Sequence, residues 1–257
     1  MAAQLSLQDV RLNEMAAQLP RMAIPETLDV PPYGPPAKST STPGSADELR
    51  LDFENTFRGP WTQICARQSR SLAWAQAAYA ETGGQLPFVD VGAGRGEFLT
   101  LLAQAGVPAV GLEPNRADFA LLQERDLRVV QSDANSYLGR CSDNSLCGLS
   151  AHAVIEHLPP EYLEEFLSLA AAKIAPRGRI VLETDNPENW HALGQFWLDM
   201  THVRPYHAYT IAFLLTHLGF QDVMIRYFIP GPLATRVPHD SGANYSAYAI
   251  VGTRSSE

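Results

Sequence analysis

A glycine-rich turn that follows a short apolar segment constrains the fold of this chain more than any other feature. The segment at residues 86–91 includes Asp90, glycines follow at positions 92, 94 and 96, and a helical pattern begins at Glu97. Glycine allows a tight turn and lets a ligand approach the backbone closely. A dinucleotide-binding turn prefers its third glycine at the position that Glu97 occupies. The sequence therefore predicts a strand, a turn and a helix that bind a ligand other than a dinucleotide.

The rest of the chain alternates between strand and helix patterns. Strand patterns occupy residues 86–91, 109–112, 128–131, 145–150, 178–183, 222–228 and 245–251. Helix patterns occupy residues 97–105, 115–125, 160–174 and 206–218. This alternation implies an α/β fold with a largely parallel sheet between two layers of helices, a three-layer αβα arrangement. A polar loop without a helix pattern joins the last two strands, so we expect them to pair as an antiparallel hairpin at a sheet edge.

Composition divides the chain into three parts. Seven of its 19 prolines precede Ser45, so residues 1–45 are predicted to be a disordered, Pro-rich tail. Apolar residues and a long helix pattern that begins at Trp61 predict an N-terminal helical cap over residues 46–82. The predicted sheet domain then occupies residues 83–257.

Charge and hydropathy exclude several classes of protein. The 257 residues carry a formal net charge of −9, which disfavours a nonspecific nucleic-acid binder, and 46% of them are hydrophobic, too many for a wholly disordered chain. The sequence has no uncharged apolar run of about 20 residues, the length of a membrane span, and its start does not resemble a secretory signal. The three cysteines lack metal-site spacing. We therefore expect a cytoplasmic protein with reduced thiols.

Acidic and histidine residues follow the next three strand patterns. Glu113 ends the second strand pattern, Asp133 follows the third, and His152 and His157 follow the fourth. A carboxylate at the position of Glu113 can accept hydrogen bonds from both ribose hydroxyls of a nucleoside. Ligands in open α/β sheets bind at the carboxyl ends of the strands. We therefore expect these residues and the glycine turn to form one nucleoside site.

The acidic-x-G-x-G-x-G turn that starts at Asp90 resembles motif I of the class I S-adenosylmethionine (SAM)-dependent methyltransferases. The resemblance implies a Rossmann-like, seven-stranded mixed sheet, SAM as the cofactor, and contact between Asp133 and the adenine amino group. Residues 150–158 resemble the family's H-V-I-E-H-L segment, which lies beside the methionine part of the cofactor. The predicted cofactor-binding positions are Arg58, Asp90, Gly92, Ala93, Gly94, Glu113, Pro114, Asp133, Ala134, Ala151 and His152.

A narrower resemblance concerns the methyl acceptor. Residues 182–189 and 196–205 resemble the E-T-P-N-P-E-N and F-Y-x-D-P-T-H-x-R-P segments of bacterial methyltransferases that cap O-antigen polysaccharides, and residues 53–59 resemble their F-E-x-x-F-R-G segment. Asp185 and Met200 replace prolines of this pattern. The resemblance implies methyl transfer to a small-molecule, sugar-linked or phosphate-linked oxygen. Two alternatives stay open: methylation of a natural-product or quinone-like intermediate at oxygen or nitrogen, and a SAM-binding regulatory subunit without catalysis.

Four residues are candidates for handling the acceptor. Histidine is the usual general base, so His152, His157 and His202 are predicted to have catalytic roles. His202 and Arg204, separated by one residue, form a candidate clamp for an anionic acceptor. The alternative for His157 is a hydrogen bond that holds its loop, and the alternative for Arg204 is a salt bridge that fixes its segment.

A metal site is not expected from the sequence. Small-RNA 2′-O-methyltransferases hold Mg²⁺ with an E-x-x-E-H segment and a further histidine. This chain has Glu156 and His157, but Ala153 stands where the first glutamate would be. The loss of one carboxylate removes charge that a hard cation needs, so the sequence predicts no metal.

Overall fold

A computed structural model describes residues 46–230 and 242–256, all within the unit of the chain that begins at Pro43. Two predictions fall outside the described residues. They are the disordered tail at residues 1–45 and most of the loop that joins the last two strand patterns.

Within the described residues, seven strands form one mixed sheet. They are β1 (Phe88–Val91), β2 (Ala109–Leu112), β3 (Val129–Val130), β4 (Leu146–His152), β5 (Ile174–Asp185), β6 (Phe220–Pro230) and β7 (Tyr245–Arg254). Their order across the sheet is β3-β2-β1-β4-β5-β7-β6. Strands β1 to β5 run parallel, and β7 is antiparallel to both β5 and β6. The predicted α/β fold and the antiparallel pairing of the last two strands are confirmed.

Helices cover both faces of this sheet. The described helices are α1 (Ala46–Phe57), α2 (Trp61–Glu81), α3 (Glu97–Gln104), α4 (Arg116–Glu124), α5 (Ala134–Leu138), α6 (Pro160–Lys173), α7 (Trp190–Phe196) and α8 (Ala208–His217). Single 3₁₀ turns lie at Ile155–His157 and Gly242–Asn244. Within the described ranges, no helix combines the length and the apolar character that a membrane crossing requires.

Alternating side chains on the strands divide the core into two layers. Val89 and Leu149 point to the face where Phe166 of α6 and Ile211 of α8 pack. Phe88, the neighbour of Val89, points to the other face, where it packs against Ala75 of α2 and Phe98 of α3. Successive residues of a strand point to opposite faces, so both faces of β1 are apolar and buried, as expected for a central parallel strand.

Short polar side chains begin the two helices that the sequence patterns did not predict. The side chain of Asp133 accepts a hydrogen bond from Ser136 N at the start of α5, and that of Asn189 accepts one from Ala192 N at the start of α7. With five and seven residues, these helices are too short to show helical periodicity. Their N-caps were the available sequence signal.

The glycine turn requires glycine at two places. Gly92 has φ +64°, and a Cβ there would lie 2.5 Å from Cγ2 of Val154. Gly96 has φ +91°, and a Cβ there would lie 2.5 Å from Cδ2 of Leu122. Residues other than glycine rarely adopt positive φ. Backbone strain and the overlap of an added Cβ with neighbouring side chains therefore explain why these two positions are glycine.

The N-terminal helices are tied to the glycine turn through arginines. The Arg95 guanidinium pairs with Glu97 at 2.7 Å and donates to the carbonyl oxygen of Gly59 at 3.0 Å. Arg125 donates to the carbonyl of Arg95 at 3.2 Å, and its guanidinium lies 4.2 Å from the ring centroid of Trp61. The start of α2 is therefore fixed beside the carboxyl end of β1.

Candidate active site

A cavity of about 460 Å³ lies along the carboxyl ends of the parallel strands. Its lining follows the sheet order, with Asp133 after β3, Glu113 after β2, Gly92 and Gly94 after β1, Glu156 and His157 after β4, and Asp185 at the end of β5. We call the part lined by Gly92, Gly94, Pro114, Glu113, Asp133 and Ala134 the glycine end. We call the part lined by Glu156, His157, Asp185, Asp199 and His202 the histidine end.

Glu113 joins the glycine turn to the next strand. Its Oε2 accepts a hydrogen bond from Gly94 N, and its Oε1 accepts one from Asn115 N, each at 2.8 Å. The residue is only 5% exposed. A carboxylate offers about four lone-pair sites, so these two bonds orient both oxygens and remain compatible with hydrogen bonds from ribose hydroxyls.

Asp133 is held in place by its own helix and by α6. One carboxylate oxygen accepts from Ser136 N at 2.9 Å and from the Tyr162 hydroxyl at 2.8 Å. The backbone hydrogen bond from Ser136 is the main cause that lowers the pKa of Asp133. The carboxylate is therefore ionised, which suits it to accept a hydrogen bond from an amino group.

Asp90 and His152 are buried and are not among the residues described as lining the cavity. The Ser150 hydroxyl donates to Asp90 at 2.7 Å, and His152 Nε2 lies 3.1 Å from the Ser71 hydroxyl of α2. The His152 ring also packs against Phe98, with the centroids 4.5 Å apart. Strand alternation turns these side chains to the face that α2 covers. The side chain of His152 therefore does not reach the cavity, and its predicted catalytic role has no support in this geometry. Ala93 and Ala151, which were predicted to bind the cofactor, are not among the described lining residues either.

The rings of His157 and His202 meet at the histidine end, with centroids 4.6 Å apart. His202 Nδ1 donates to the carbonyl oxygen of Phe196 at 2.6 Å. The Thr201 hydroxyl donates a hydrogen bond to Asp199 at 2.6 Å. His157 Nδ1 lies 3.0 Å from the same hydroxyl oxygen and therefore donates to it. Burial, followed by the charge of His202, lowers the pKa of His157 to about 4, so its ring is neutral at pH 7.

Glu156 lies within the 3₁₀ turn Ile155–His157 at the histidine end of the cavity. Its side chain is 1% exposed, and its Oε2 has no hydrogen-bond partner among the described residues. Burial, followed by the nearby Asp185 carboxylate, raises its pKa to about 8. Its backbone carbonyl accepts from Val203 N at 2.9 Å and Arg204 N at 3.3 Å, which holds the segment around His202 in place.

Of His202 and Arg204, the candidate clamp for an anionic acceptor, only His202 lines the cavity as described. Arg204 is exposed, its guanidinium lies 5.2 Å from the ring centroid of Tyr206, and it does not line the cavity. His202 and Arg204 are two residues apart, but the carbonyl of Glu156 accepts hydrogen bonds from the two amides that follow His202 and turns the chain there. The predicted role of Arg204 at the acceptor stays a prediction, because in this structure its side chain lies away from the cavity.

Three arginines of the N-terminal helical region line the cavity. They are Arg58, a predicted cofactor-binding residue between α1 and α2, and Arg50 of α1 and Arg67 of α2, which were not predicted as site residues. Arg67 Nε pairs with Glu183 Oε1 at 2.7 Å. Arg67 precedes Gln68, which is buried together with Ile64 on one face of α2. The sequence signal for Arg67 was a charged residue next to the buried face of α2.

These features agree with two comparisons. Residues 53–225 match a family model described as a methyltransferase domain. A SAM-dependent methyltransferase from Archaeoglobus fulgidus is 31% identical, with a TM-score of 0.71, over 80% of this chain and 99% of that one. The chain belongs to the SAM-dependent methyltransferases. Methyl transfer is therefore its reaction and SAM its cofactor.

More distant methyltransferases share the fold. A 1,6-didemethyltoxoflavin N1-methyltransferase from Burkholderia thailandensis is 16% identical, with a TM-score of 0.52, over 84% of this chain and 93% of its own. A phosphoethanolamine N-methyltransferase from Haemonchus contortus is 13% identical, with a TM-score of 0.54, over 80% of this chain and 60% of its own. Among curated proteins, no sequence matches this methyltransferase.

Proposed function

We propose that this methyltransferase transfers the methyl group of SAM to a hydroxyl oxygen of a small, sugar- or phosphate-linked acceptor. The observation that carries the proposal is the continuity of the cavity, which joins the glycine end to the histidine end. Methyl transfer from a sulfonium is an in-line displacement, so donor and acceptor must share one sheltered space. A cavity of about 460 Å³ has the size of a small-molecule site.

The glycine end supplies the groups that SAM requires. Glu113 presents oriented carboxylate oxygens for the ribose hydroxyls, and Asp133 presents an ionised carboxylate for the adenine amino group. Gly92 and Gly94 leave space for the cofactor beside the backbone. Arg58 lines the same cavity and suits the carboxylate of the methionine part.

The histidine end combines positive and negative groups. Arg50 and Arg67 line the cavity close to this end, because the charge of Arg50 acts on His157 and that of Arg67 acts on Glu156 and Asp185. A guanidinium binds a phosphate or carboxylate through two parallel hydrogen bonds. Asp185 and Asp199 line it as well, and carboxylates accept hydrogen bonds from the hydroxyls of a sugar. This mixture favours an acceptor that carries both an anionic group and hydroxyls.

The narrower resemblance to polysaccharide-capping methyltransferases supports the same acceptor class. Asn186 of that pattern donates through Nδ2 to the carbonyl oxygens of Gly242 and Tyr245, each at 2.8 Å. Asn189 begins α7, which leads into Asp199 and His202. Asp185, Asp199 and His202 of the same segments line the histidine end.

Asp185 is the group that we assign to the acceptor proton. In the reaction, the hydroxyl oxygen forms a bond to the methyl carbon as the carbon–sulfur bond breaks. The electron pair of that bond stays on sulfur, which gives S-adenosylhomocysteine, and the hydroxyl proton passes to a base. Burial is the main cause that raises the pKa of Asp185, which makes its carboxylate a stronger proton acceptor. It also lines the cavity.

Radiolabelled SAM tests the acceptor class. Transfer of label is measured to sugars, to the matching sugar phosphates and to primary amines of similar size. We expect a methyl ether as product and kcat/KM for the phosphates at least about tenfold above that for the plain sugars. Transfer of label to amines alone would contradict the proposal.

The role of Asp185 is tested separately. The Asp185→Asn variant should have a lower kcat with little change in SAM affinity.

A further inference from the structure

We infer that Glu156, His157 and His202 bind one divalent ion of a first-row transition metal at the histidine end of the cavity. One ligand atom from each residue lies within 4.8 Å of the others. Two ligand atoms that each lie about 2.1 Å from one ion are at most about 4.2 Å apart. Small side-chain movements would bring the three ligand atoms, now within 4.8 Å of one another, to that separation. The sequence predicted no metal because Ala153 lacks a carboxylate, but the fold brings His202 to this position from a distant segment.

The hydrogen bonds of both histidines leave Nε2 as the nitrogen available to a metal. His202 Nδ1 donates to the Phe196 carbonyl, which can only accept. His157 Nδ1 donates to the hydroxyl oxygen of Thr201, because that hydroxyl already donates its own hydrogen bond to Asp199. Histidines that bind metals donate their other ring N–H to a carbonyl, a carboxylate or a similar acceptor, which fixes the ring and its tautomer. Both rings have that arrangement here.

Glu156 provides an independent observation that points to a ligand. Its side chain is 1% exposed, it lines the cavity, and its Oε2 has no hydrogen-bond partner among the described residues. A buried carboxylate oxygen without a partner is costly. A cation between Glu156 and the two imidazoles would satisfy it.

The ligand set indicates the class of ion. Two imidazoles and one carboxylate suit manganese, iron, cobalt or zinc better than magnesium or calcium, which prefer oxygen ligands throughout. Asp185 and Asp199 line the same end and add negative charge around the ion. Three protein ligands leave coordination positions open, as in catalytic sites.

The role of the ion rests on the proposed function. An open position facing the cavity would take the acceptor hydroxyl, and a bound cation lowers the pKa of such a hydroxyl. The hydroxyl proton then passes to Asp185, the oxygen bonds to the methyl carbon, and the sulfur keeps the electron pair of the broken bond. The ion is neither oxidised nor reduced in this reaction.

Titration of the full chain with Co²⁺ tests the site without any acceptor. Calorimetry gives the stoichiometry and affinity, and the visible spectrum of Co²⁺ reports nitrogen ligands. We expect one Co²⁺ per chain, and at least about tenfold weaker binding in both Glu156→Gln and His202→Ala. The matched control is His217→Ala, which removes an exposed histidine of α8 and should bind Co²⁺ as the wild type does.

S-adenosylhomocysteine affinity is measured for each variant, because unchanged affinity shows that the glycine end is intact. Absence of stoichiometric Co²⁺ binding by a wild-type chain that binds S-adenosylhomocysteine would overturn the metal site. Equal Co²⁺ affinity in wild type and His202→Ala would also overturn it. If Co²⁺ binds as expected but no hydroxyl acceptor is methylated, the metal site stands and the proposed acceptor class fails.

Discussion

The two ends of the cavity are built in different ways. At the glycine end, backbone amides and nearby side chains supply most of the contacts: Glu113 accepts from Gly94 and Asn115, and Asp133 accepts from Ser136 of its own helix. At the histidine end, side chains meet from segments far apart in the sequence, such as His157 after β4 and His202 after α7. If the glycine end binds the cofactor and the histidine end the acceptor, as proposed, a short motif encodes the cofactor site and the whole fold builds the acceptor site.

The largest expected effect is at the glycine turn. Gly94 has φ +52° and lines the cavity, so Gly94→Val adds a branched side chain at the proposed cofactor site. We expect calorimetry to detect no SAM binding. The matched control is Gly106→Val, because Gly106 has φ +70° and a Cβ added there would meet nothing within 4 Å. That control carries similar backbone strain and should still bind SAM; if both variants lose binding, strain and not the cavity explains the result.

Glu113→Gln separates charge from shape at the same end. The amide keeps the size of the side chain but loses one charged acceptor, so SAM binding should weaken by about 1.5–3 kcal/mol. Glu124→Gln, at an exposed position near the end of α4, is the control and should bind SAM normally. Unchanged SAM affinity in Glu113→Gln would remove Glu113 from the cofactor site.

A pair of arginine substitutions sharpens the comparison at the histidine end. Lysine keeps the charge but loses the planar fork of arginine. Arg67→Lys should lower acceptor kcat/KM about tenfold, or about 1.4 kcal/mol, because Arg67 lines the cavity. Arg204→Lys should have no effect, because Arg204 lies over Tyr206. The reverse pattern would show that Arg204 turns toward the acceptor when the acceptor binds.

The smallest effect concerns the pH dependence of stability at Asp133. The hydrogen bond from Ser136 lowers its folded-state pKa, so the ionised carboxylate stabilises the fold above the ordinary carboxyl pKa. That contribution is lost as pH falls through the lowered value. Because Asp133 is exposed, we expect its contribution to be small. Urea denaturation should give a difference in the free energy of unfolding between wild type and Asp133→Asn of at most about 1 kcal/mol at neutral pH, and a smaller difference in acid. A difference independent of pH would contradict this assignment.

Local sequence patterns account for most of the fold and much of the glycine end. The predicted strand at residues 109–112 coincides with β2, and the predicted helix at 160–174 differs from α6 by one residue. Gly92, Gly94, Glu113 and Asp133 line one cavity, because each lies just after a parallel strand of the sheet. Their contacts with the cofactor stay a prediction.

The histidine end was predicted less well, for physical reasons. Arg50 and Arg67 reach the cavity only through the packing of α1 and α2, which no short motif specifies. His152 is the last residue of β4, whereas His157 follows that strand. The strand directs the His152 side chain toward Ser71 of α2 and away from the cavity. Arg204 was assigned from its spacing to His202, and that spacing says nothing about the turn that Glu156 stabilises.

A crystal structure of the chain with S-adenosylhomocysteine tests the division of the cavity most directly. The account predicts the ribose hydroxyls at Glu113, the adenine amino group at Asp133 and the sulfur directed toward the histidine end. Within that end, His157 and His202 should remain uncovered by the cofactor. A cofactor whose adenine lies against His157 and His202, with its sulfur toward Asp133, would contradict the assignment of both ends.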